Sequence, residues 1–332
     1  MTDTGAIPQQ RHQWRLLVVN NDRSARGRHA DMRDGLLAGL RSRGCELVMI
    51  GGDSAAAASV ALAEAMADEH DAVVSIGGDG TVHLCLQRVA GTSTPLAIVP
   101  MGTGNDVAHY LGIVKGEVDE HIESIIRGLS HPPSREVIDV GRVTTSDGVS
   151  RWFLTILACG FDTVVNERAN KMKFPKGNAR YLTSVLRELP GLAPYEYTVE
   201  VDGQMQKKPG LLFAAGLITR YGGGFHMCPH ADARDGLLSW THVAGIGRMK
   251  VIALLGKVLK GTHLGNPAVT HGHARQLTIN VPGMTAWADG EVMGACPAVV
   301  ECVPRALTLI MGAPPATEAA SADRETAIPA GN

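Results

Sequence analysis

Two consecutive segments of the chain each place a glycine-rich turn directly after a short apolar run. Residues 72–76 lead into the turn GGDGT (77–81), and residues 96–99 lead into PMGTGND (100–106). Short apolar runs bounded by glycine are typical of buried strands, and the residues after each turn suit a helix. The sequence therefore predicts two strand–loop–helix units, which restrict the fold to a layered α/β arrangement.

These two turns have the chemistry of a phosphate-binding site. Glycines allow positive φ and the close approach of an anion, and the first N–H groups of the following helix carry partial positive charge. Thr81 and Thr103 add hydroxyl donors, whereas Asp79 and Asp106 would repel a bare triphosphate unless a metal ion or a well-placed cap offsets them. The alternative for Asp79 alone is a helix cap. Two such loops close together favour phosphate binding.

The remainder of the N-terminal region shows the same alternation of strands and helices. The patterns predict a strand at 15–19, a helix at about 29–43, a strand at 46–50 and a helix at 54–68, all ahead of the two glycine units. Such alternation is typical of a parallel sheet covered by helices. Ligands of these sheets bind beyond the carboxyl ends of the strands, where both glycine turns fall.

A second, mainly β domain is predicted after the Pro132-Pro133 pair. Predicted strands cover 136–143, 151–158, 197–201, 211–217, 237–243 and 276–281, and predicted helices lie near 179–188 and 248–260. The expected division is an α/β domain at 1–135, a β domain at 136–305 and a disordered tail at 313–332. The last strand, near 306–311, is expected to return to the first domain.

Composition excludes several classes of protein. The formal net charge of −2 provides no broad basic field, which argues against a nucleic-acid partner. Six cysteines without a Cys-x-x-Cys pair predict free thiols in a reducing compartment, which favours the cytoplasm. The polar residues 1–13 lead directly into a strand, so no signal peptide is expected, and no apolar run approaches membrane-spanning length. Any membrane contact should therefore be peripheral.

Common nucleotide-binding motifs are absent from the sequence. No Walker A pattern occurs, and the first strand turn lacks Gly-x-Gly-x-x-Gly. Instead, six segments in this order resemble the catalytic domain of the diacylglycerol and sphingosine kinase family, in its soluble bacterial form. They are NDRSARG (21–27), GGDGT (77–81), PMGTGND (100–106), YGGGF (221–225), PHADARDGL (229–237) and DGE (289–291). The resemblance covers roughly residues 15–311.

This resemblance implies an N-terminal ATP-binding domain, a C-terminal β-sandwich, and an interdomain cleft where a lipid hydroxyl meets the γ-phosphate. The implied nucleotide-contacting positions are Asn21, Asp22, Arg23, Ser24, Ala25, Gly52, Gly78, Asp79, Gly80, Thr81 and Thr103. A Mg²⁺ site is implied at Asp235 with the backbones of Asp232 and Leu237. Glu291 matches the proton acceptor, and Asp79 is expected to position phosphate or metal.

The residue chemistry of the Asp289-Gly290-Glu291 segment agrees with a role in phosphoryl transfer. That reaction needs charge neutralisation, in-line positioning and a group that takes the hydroxyl proton, and Glu291 is a carboxylate in an otherwise apolar stretch. Alternation along a strand predicts that Asp289 and Glu291 point to the same side. The alternative is that this segment is simply a hairpin turn.

Three segments of the chain depart from the family pattern. Relatives usually carry Asn-Glu where this chain has His83-Leu84, so a carboxylate is missing. In the first loop, Asp22 and Ala25 replace the usual Pro and Gly, which makes that backbone more acidic and less permissive. Gly52 stands near a position that is often a nucleotide-contacting Thr. These changes affect the expected nucleotide geometry more than the expected fold.

The primary functional hypothesis is an ATP- and Mg²⁺-dependent lipid kinase acting on diacylglycerol or a related amphiphilic alcohol. One alternative is a family member that has lost activity with Leu84 and only binds nucleotide or lipid. Another is an NAD kinase, whose sequences resemble GGDGT, although the motifs at 102–106 and 221–224 speak against it. A homodimer is left open.

Two further segments have alternative interpretations. His226, Cys228 and His230 alternate along an extended segment and could form a zinc site, although alternation also fits an ordinary strand; His271 and His273 are expected on a polar loop. Cations mixed with apolar residues at 171–176 fit either a solvated surface loop or peripheral contact with a membrane. The apolar stripe of the helix at 248–260 is interpreted first as core, and attraction of the opposite lysines to a membrane is the secondary hypothesis.

Overall fold

The computed structural model describes residues 13–20, 30–113, 116–172, 174 and 178–311. Its helices are α1 (Ala30–Ser42), α2 (Ala55–Ala65), α3 (Asp79–Val89), α4 (Asp106–Tyr110), α5 (Val118–Ser130), α6 (Phe161–Lys171), α7 (Asn178–Glu188) and α8 (Arg248–Val258). The first strands are β1 (Trp14–Asn20), β2 (Cys45–Ile50), β3 (Ala72–Gly77), β4 (Leu96–Pro100), β5 (Arg135–Thr144), β6 (Ser150–Phe153), β7 (Ile156–Gly160) and β8 (Tyr195–Val201). The remaining strands are β9 (Gln204–Gly216), β10 (Leu238–Ala244), β11 (Val269–Ala274), β12 (Gln276–Asn280), β13 (Thr285–Ala288), β14 (Glu291–Ala295) and β15 (Ala298–Ile310).

The N-terminal lobe is a parallel sheet with helices on both faces, as the alternating pattern predicts. Its strands pair in the order β4-β3-β1-β2. Leu16 and Val18 of β1 pack with α1 and α5, whereas Leu17 and Val19 pack with α2 and α3. Because both faces are covered, β3 and β4 are buried along their whole length. The sheet therefore holds its carboxyl edge, with both glycine turns, in a fixed position.

The C-terminal lobe is antiparallel and β-sandwich-like. Strands β14, β13, β7, β9, β8, β12 and β15 pair successively, and β10 adds to β9 with β11 beyond it. The long strand β15 runs antiparallel to β5, and its last residues pair in parallel with β4 at Leu309↔Leu96 and Ile310↔Ala97. The two lobes therefore share one continuous hydrogen-bonded sheet, and β15 belongs to both of them.

Two local expectations were wrong. The strand predicted at 151–158 is two strands, β6 and β7, because the backbone N–H groups of Leu154 and Thr155 donate to the Asp289 carboxylate instead of a sheet partner. His271 and His273 lie on β11 rather than on a loop, paired with β10 and exposed at its edge. Their polarity reflects the solvent-facing edge of the sheet.

None of the helices in the described ranges is long and apolar enough to cross a membrane. Residues 21–25, 312–332 and most of 173–177 lie outside the described residues. The expectations for the first loop and for the tail therefore stay predictions.

Candidate active site

The two glycine turns contact each other through their backbones. A Cβ at Gly102 would lie 2.5 Å from the Cα of Gly78, so only glycine fits at this contact. The Met101 N–H donates to Gly77 O over 2.8 Å, and the Gly102 N–H donates to Asn105 Oδ1 over 3.0 Å. Asn105 has φ of 52°, a left-handed conformation that asparagine tolerates well. The turns therefore form a single rigid surface at the edge of the sheet.

Asp79 is the first residue of α3 and lies at this surface. Burial, followed by the charge of Asp106, raises its pKa from the ordinary 3.8 to about 6, although hydrogen bonds to the Val107 and Asn105 backbone act in the opposite direction. A carboxyl group with a pKa near neutrality can hold or release a proton under working conditions. The N-cap of α3 is Gly78 and no side chain caps this helix, so the helix-cap alternative for Asp79 is wrong.

A cleft of about 390 Å³ opens in front of Asp79 and is lined by both lobes. Thr103, Gly104 and Asp106 line it from the N-terminal lobe, and residues 221–223 and 287–290 line it from the C-terminal lobe. Asp106 also joins the two walls: its Oδ2 accepts from the Gly223 N–H over 2.9 Å, and its Oδ1 lies 3.7 Å from Arg220 Nε.

The C-terminal wall contains a buried carboxylate that the sequence analysis missed. Asp162 on α6 is 3% exposed and accepts hydrogen bonds from the hydroxyls of Tyr181 and Tyr221 and from the Asn166 amide. Burial raises its pKa despite these donors. An aspartate two residues beyond a buried strand that ends in glycine was the available signal, and it resembles the way Asp79 follows Gly77 and Gly78.

The segment Asp289-Gly290-Glu291 is a hairpin turn between β13 and β14, with Asp289 and Gly290 at φ of 54° and 80°. The two carboxylates do not share one side, which corrects the expectation from strand alternation: Asp289 is buried, whereas Glu291 is exposed. Positive φ at two successive residues turns the chain between them and breaks the alternation. Asp289 and Gly290 line the cleft, whereas Glu291 is not among the residues that line it.

The Asp289 carboxylate is held by donors from both lobes. Its Oδ1 accepts from Thr155 N–H over 2.9 Å and from Thr155 Oγ1 over 2.6 Å, and its Oδ2 lies 2.9 Å from His83 Nδ1. Burial alone would raise the pKa of Asp289. The hydrogen bond and charge of His83, together with the hydrogen bonds of Thr155, lower it. Asp289 is therefore an ionised anchor and not a proton acceptor.

An apolar cavity of about 70 Å³ lies beside the cleft, and Asp162 and Tyr181 line both spaces. Its other lining residues are apolar and come from α6, α7, α8 and the strands beneath them: Phe161, Val185, Leu211, Leu212, Met227, Val243, Val251, Leu254, Leu255 and Val258. The apolar stripe of α8 therefore covers this cavity. Together the two spaces could accept a molecule with one polar and one apolar end.

The turn at residues 232–237 lies at another contact between the lobes. Asp232 Oδ1 accepts from Tyr110 Oη over 2.9 Å, Asp235 Oδ1 accepts from the Leu237 N–H over 2.8 Å, and both carboxylates are exposed. Buried Asp139, which the sequence analysis missed, holds the same turn by accepting from the Gly236 N–H over 2.7 Å.

In the described residues, no group of three or more His, Cys, Asp or Glu side chains is placed to hold a metal ion. His226, Cys228 and His230 are among those residues, so the zinc interpretation gains no support. Two exposed carboxylates and turn carbonyls remain compatible with Mg²⁺, which commonly takes one or two carboxylates and keeps several waters.

The other sequence-predicted nucleotide positions are only partly brought together. Gly78 lies at the contact between the two turns, Thr81 is buried, and Gly80 is exposed on the first turn of α3. Gly52 is exposed, and a Cβ there would lie 2.6 Å from Ala58 N at the start of α2. Asn21, Asp22, Arg23, Ser24 and Ala25 lie outside the described residues.

Comparison with known proteins assigns both lobes. Residues 15–143 match the diacylglycerol kinase catalytic domain, and residues 155–311 match the YegS C-terminal NAD kinase beta sandwich-like domain. A diacylglycerol kinase of Mycobacterium tuberculosis is 36% identical over 91% of this chain and 96% of its own length. A diacylglycerol kinase of Bacillus subtilis is 27% identical over 72% of this chain and 77% of its own length.

Solved structures share the fold. A crystal structure of a Bacillus anthracis protein matches with a TM-score of 0.73 and 22% identity, over 94% of this chain and 99% of that one. Another, described as a diacylglycerol kinase from the same organism, matches with a TM-score of 0.65 and 18% identity, over 90% of this chain and 97% of that one. The α/β lobe followed by a β-sandwich-like lobe is therefore the architecture of these proteins.

Proposed function

This chain belongs to the diacylglycerol kinase family of lipid kinases, and from that premise we propose that it transfers the γ-phosphoryl group of ATP to a hydroxyl of diacylglycerol or a related lipid. One observation supports this function above others: the polar cleft at Asp79 lies beside an apolar cavity, and Asp162 and Tyr181 line both spaces. An alcohol with an acyl chain matches that junction, whereas NAD has no comparable apolar end.

The glycine turns would bind the phosphates, and a carboxylate would accept the hydroxyl proton. Gly78, Thr81, Thr103 and the N-terminus of α3 would bind the phosphates, as would the predicted contacts at 21–25, because N–H and hydroxyl donors stabilise oxyanions. Thr103 is exposed for this role, whereas Thr81 is buried and its N–H donates to Gly78 O. The hydroxyl oxygen attacks the γ-phosphorus, ADP leaves, and the hydroxyl proton passes to a carboxylate.

Asp79 and Glu291 are the candidates for that proton acceptor. Asp79 lines the cleft and has a pKa of about 6, while Glu291 follows the cleft-lining turn. We favour Asp79 as the acceptor, because it lies in the cleft with a pKa close to the working pH. Glu291, named from the sequence, is the alternative acceptor.

Mg²⁺ would neutralise phosphate charge during transfer. Four carboxylates line the cleft, those of Asp79, Asp106, Asp162 and Asp289, so we expect nucleotide to bind together with the cation. The turn at Asp232, Asp235 and Leu237 is proposed to hold a further Mg²⁺ with a structural role.

Helices α7 and α8 are proposed to contact the membrane surface. They cover the apolar cavity and expose apolar side chains outward: Leu182, Leu186, Met249 and Ile252. Lys250 and Lys257 are exposed on α8, and Arg187 ends α7. Exposed apolar groups flanked by cations favour binding to anionic lipid.

The test measures transfer of labelled γ-phosphate to diacylglycerol in vesicles with and without anionic lipid, using NAD as a second acceptor. We expect Mg²⁺-dependent lipid phosphorylation, faster on anionic vesicles, and a loss on the order of 10²- to 10⁴-fold in kcat for Asp79→Asn.

An equally large loss for Glu291→Gln alone would assign the role of proton acceptor to Glu291. Glu196→Gln, an exposed carboxylate on β8, is the matched control. Phosphorylation of NAD alone, or nucleotide binding without turnover, would contradict the proposal.

A further inference from the structure

His83 occupies a position between the lobes for which the proposed reaction has so far given no role. It lies on α3 four residues after Asp79, so both side chains fall on the same face of that helix. Its Nδ1 is 2.9 Å from Asp289 Oδ2, and the two side chains are only 14% and 4% exposed. His83 therefore connects the helix that begins at Asp79 with the turn of the other lobe.

The partner of His83 controls the backbone that leads to Glu291. Asp289 begins the two-residue turn at positive φ, and its carboxylate also accepts the N–H groups of Leu154 and Thr155. These bonds fix the turn against the segment that separates β6 from β7. A shift of the Asp289 carboxylate would therefore move Gly290 at the cleft wall and Glu291 after it.

A second contact fixes the plane of the His83 ring. The Gln87 side-chain amide binds the Trp152 backbone: Gln87 Oε1 accepts from the Trp152 N–H over 3.0 Å, and Gln87 Nε2 donates to the Trp152 O over 2.7 Å. Gln87 Nε2 also lies 3.4 Å from His83 Nε2. Because an ionised Asp289 can only accept, the proton of the neutral ring belongs on Nδ1, which leaves Nε2 to accept from Gln87. The ring is thus held on both sides.

The electrostatic surroundings agree with this orientation. Burial alone would lower the pKa of His83, but the hydrogen bond and charge of Asp289, with the charge of Glu291, raise it. The hydrogen bond and charge of Asp289 are the largest of these influences that favour the protonated ring.

We propose that His83 is a positioning residue for phosphoryl transfer: it holds the Asp289-Gly290-Glu291 turn in register with the helix that starts at Asp79. This inference rests on the proposed function. In a two-lobed site, the catalytic groups on opposite walls are productive only at a defined separation, and a misplacement of about 1 Å can cost on the order of 100-fold in rate. The His83–Asp289 pair supplies a direct link between those walls.

The test compares His83→Leu, which removes the donor, with His83→Asn, whose amide N–H can replace the Nδ1 donor to Asp289. We expect His83→Leu to lower kcat by roughly 10- to 100-fold with KM for ATP nearly unchanged, and His83→Asn to recover most of the loss. Val89→Ala, which removes buried apolar volume at the far end of α3, is the matched control for a general loss of packing and should lower Tm with little change in kcat.

A double-mutant cycle with Asp289→Asn separates the pair from its surroundings. If the two residues act together, the double variant loses little more kcat than His83→Leu alone. Additive losses, or an unchanged kcat in a folded His83→Leu variant, would overturn the positioning role. If the wild-type chain phosphorylated none of the acceptors, the proposed function itself would be rejected instead.

A measurement on the wild-type chain covers the case in which His83→Leu fails to fold. The ¹⁵N chemical shifts of the His83 ring should show Nδ1 protonated throughout the neutral range. An Nδ1 without a proton would overturn the proposal whatever the activity assays show.

Discussion

At the scale of single residues, Asp79 combines two properties that one carboxylate rarely has on a surface. It begins a helix, where ionised carboxylates are stabilised, yet burial and the neighbouring charge of Asp106 raise its pKa to about 6. The influences that raise the pKa of Asp79 are larger than those that lower it, because the carboxyl group is largely buried beside another carboxylate. Keeping Asp79 ionised in the folded protein therefore costs free energy of folding, and its raised pKa suits proton transfer.

Asp79→Asn should change the pH dependence of stability. A carboxyl group with a raised folded-state pKa stabilises the protein fully below pH 3.8, and that contribution is lost as pH rises through about 6. The Asn variant lacks this loss, so its unfolding free energy relative to wild type should increase between pH 4 and pH 7, by about 3 kcal/mol at most.

Urea unfolding at several pH values measures this difference. Asp147→Asn is the control, since the pKa of Asp147 is lowered to about 2 by hydrogen bonds from the Val149 backbone, Arg151 and Thr145. Its difference from wild type should be flat between pH 5 and pH 7. A pH-independent difference for Asp79→Asn would show that Asp79 titrates normally.

At the scale of elements, the two strand–loop–helix units depend on a contact between their turns. The backbones at Gly78 and Gly102 approach too closely for a side chain, since a Cβ at Gly102 would also lie 2.6 Å from Asn105 Oδ1. The contact with Asn105 lies within one turn, whereas the contact with the Gly78 backbone, at 2.5 Å, is between the two units. The pairing of β3 with β4 brings the turns together and makes glycine necessary.

Gly102→Ala should therefore destabilise the protein by about 1–3 kcal/mol, because the methyl group overlaps backbone that cannot move freely. Gly80→Ala is the matched control: a Cβ at Gly80 meets nothing within 4 Å, and alanine favours the first turn of α3. Its stability should be unchanged or higher. Equal losses in urea unfolding for the two variants would contradict the contact between the turns.

At the scale of the whole molecule, β15 makes the lobes into one unit. It pairs with β5 and β12 and ends beside β4, with a bulge after Val303. Buried Asp139 stabilises this bulge by accepting from the Arg305 N–H over 2.8 Å, and it also holds Gly236 in the proposed metal turn. A strand shared by two lobes leaves no boundary at which either could unfold alone.

We expect calorimetry to show one unfolding transition. Asp139→Ala should lower the free energy of unfolding by about 2 kcal/mol or more, because two N–H groups lose their acceptor. Asp202→Ala is the matched control, since Asp202 also accepts two N–H groups, those of Arg275 and Gln276, at an exposed turn. Its loss should be smaller. Two separate transitions, only one of them shifted by Asp139→Ala, would contradict a shared folding unit.

The sequence by itself determined the order and type of most elements and the family. Apolar runs followed by glycine predict β3, β4 and their turns, because burial on both faces and positive φ are local requirements that leave a local record. The motif GGDGT likewise identified Asp79 before any contact was known.

Only the tertiary structure decided which side chains share the cleft. Asp162, His83 and Asp289 are distant in sequence, and no local pattern indicates that their side chains meet at one site. Their roles arise because α6, α3 and the β13–β14 turn converge, and because a positive-φ turn directs Asp289 inward and leaves Glu291 exposed. The contacts that determine a buried carboxylate's charge and partners come from distant parts of the chain, so no local pattern can specify them.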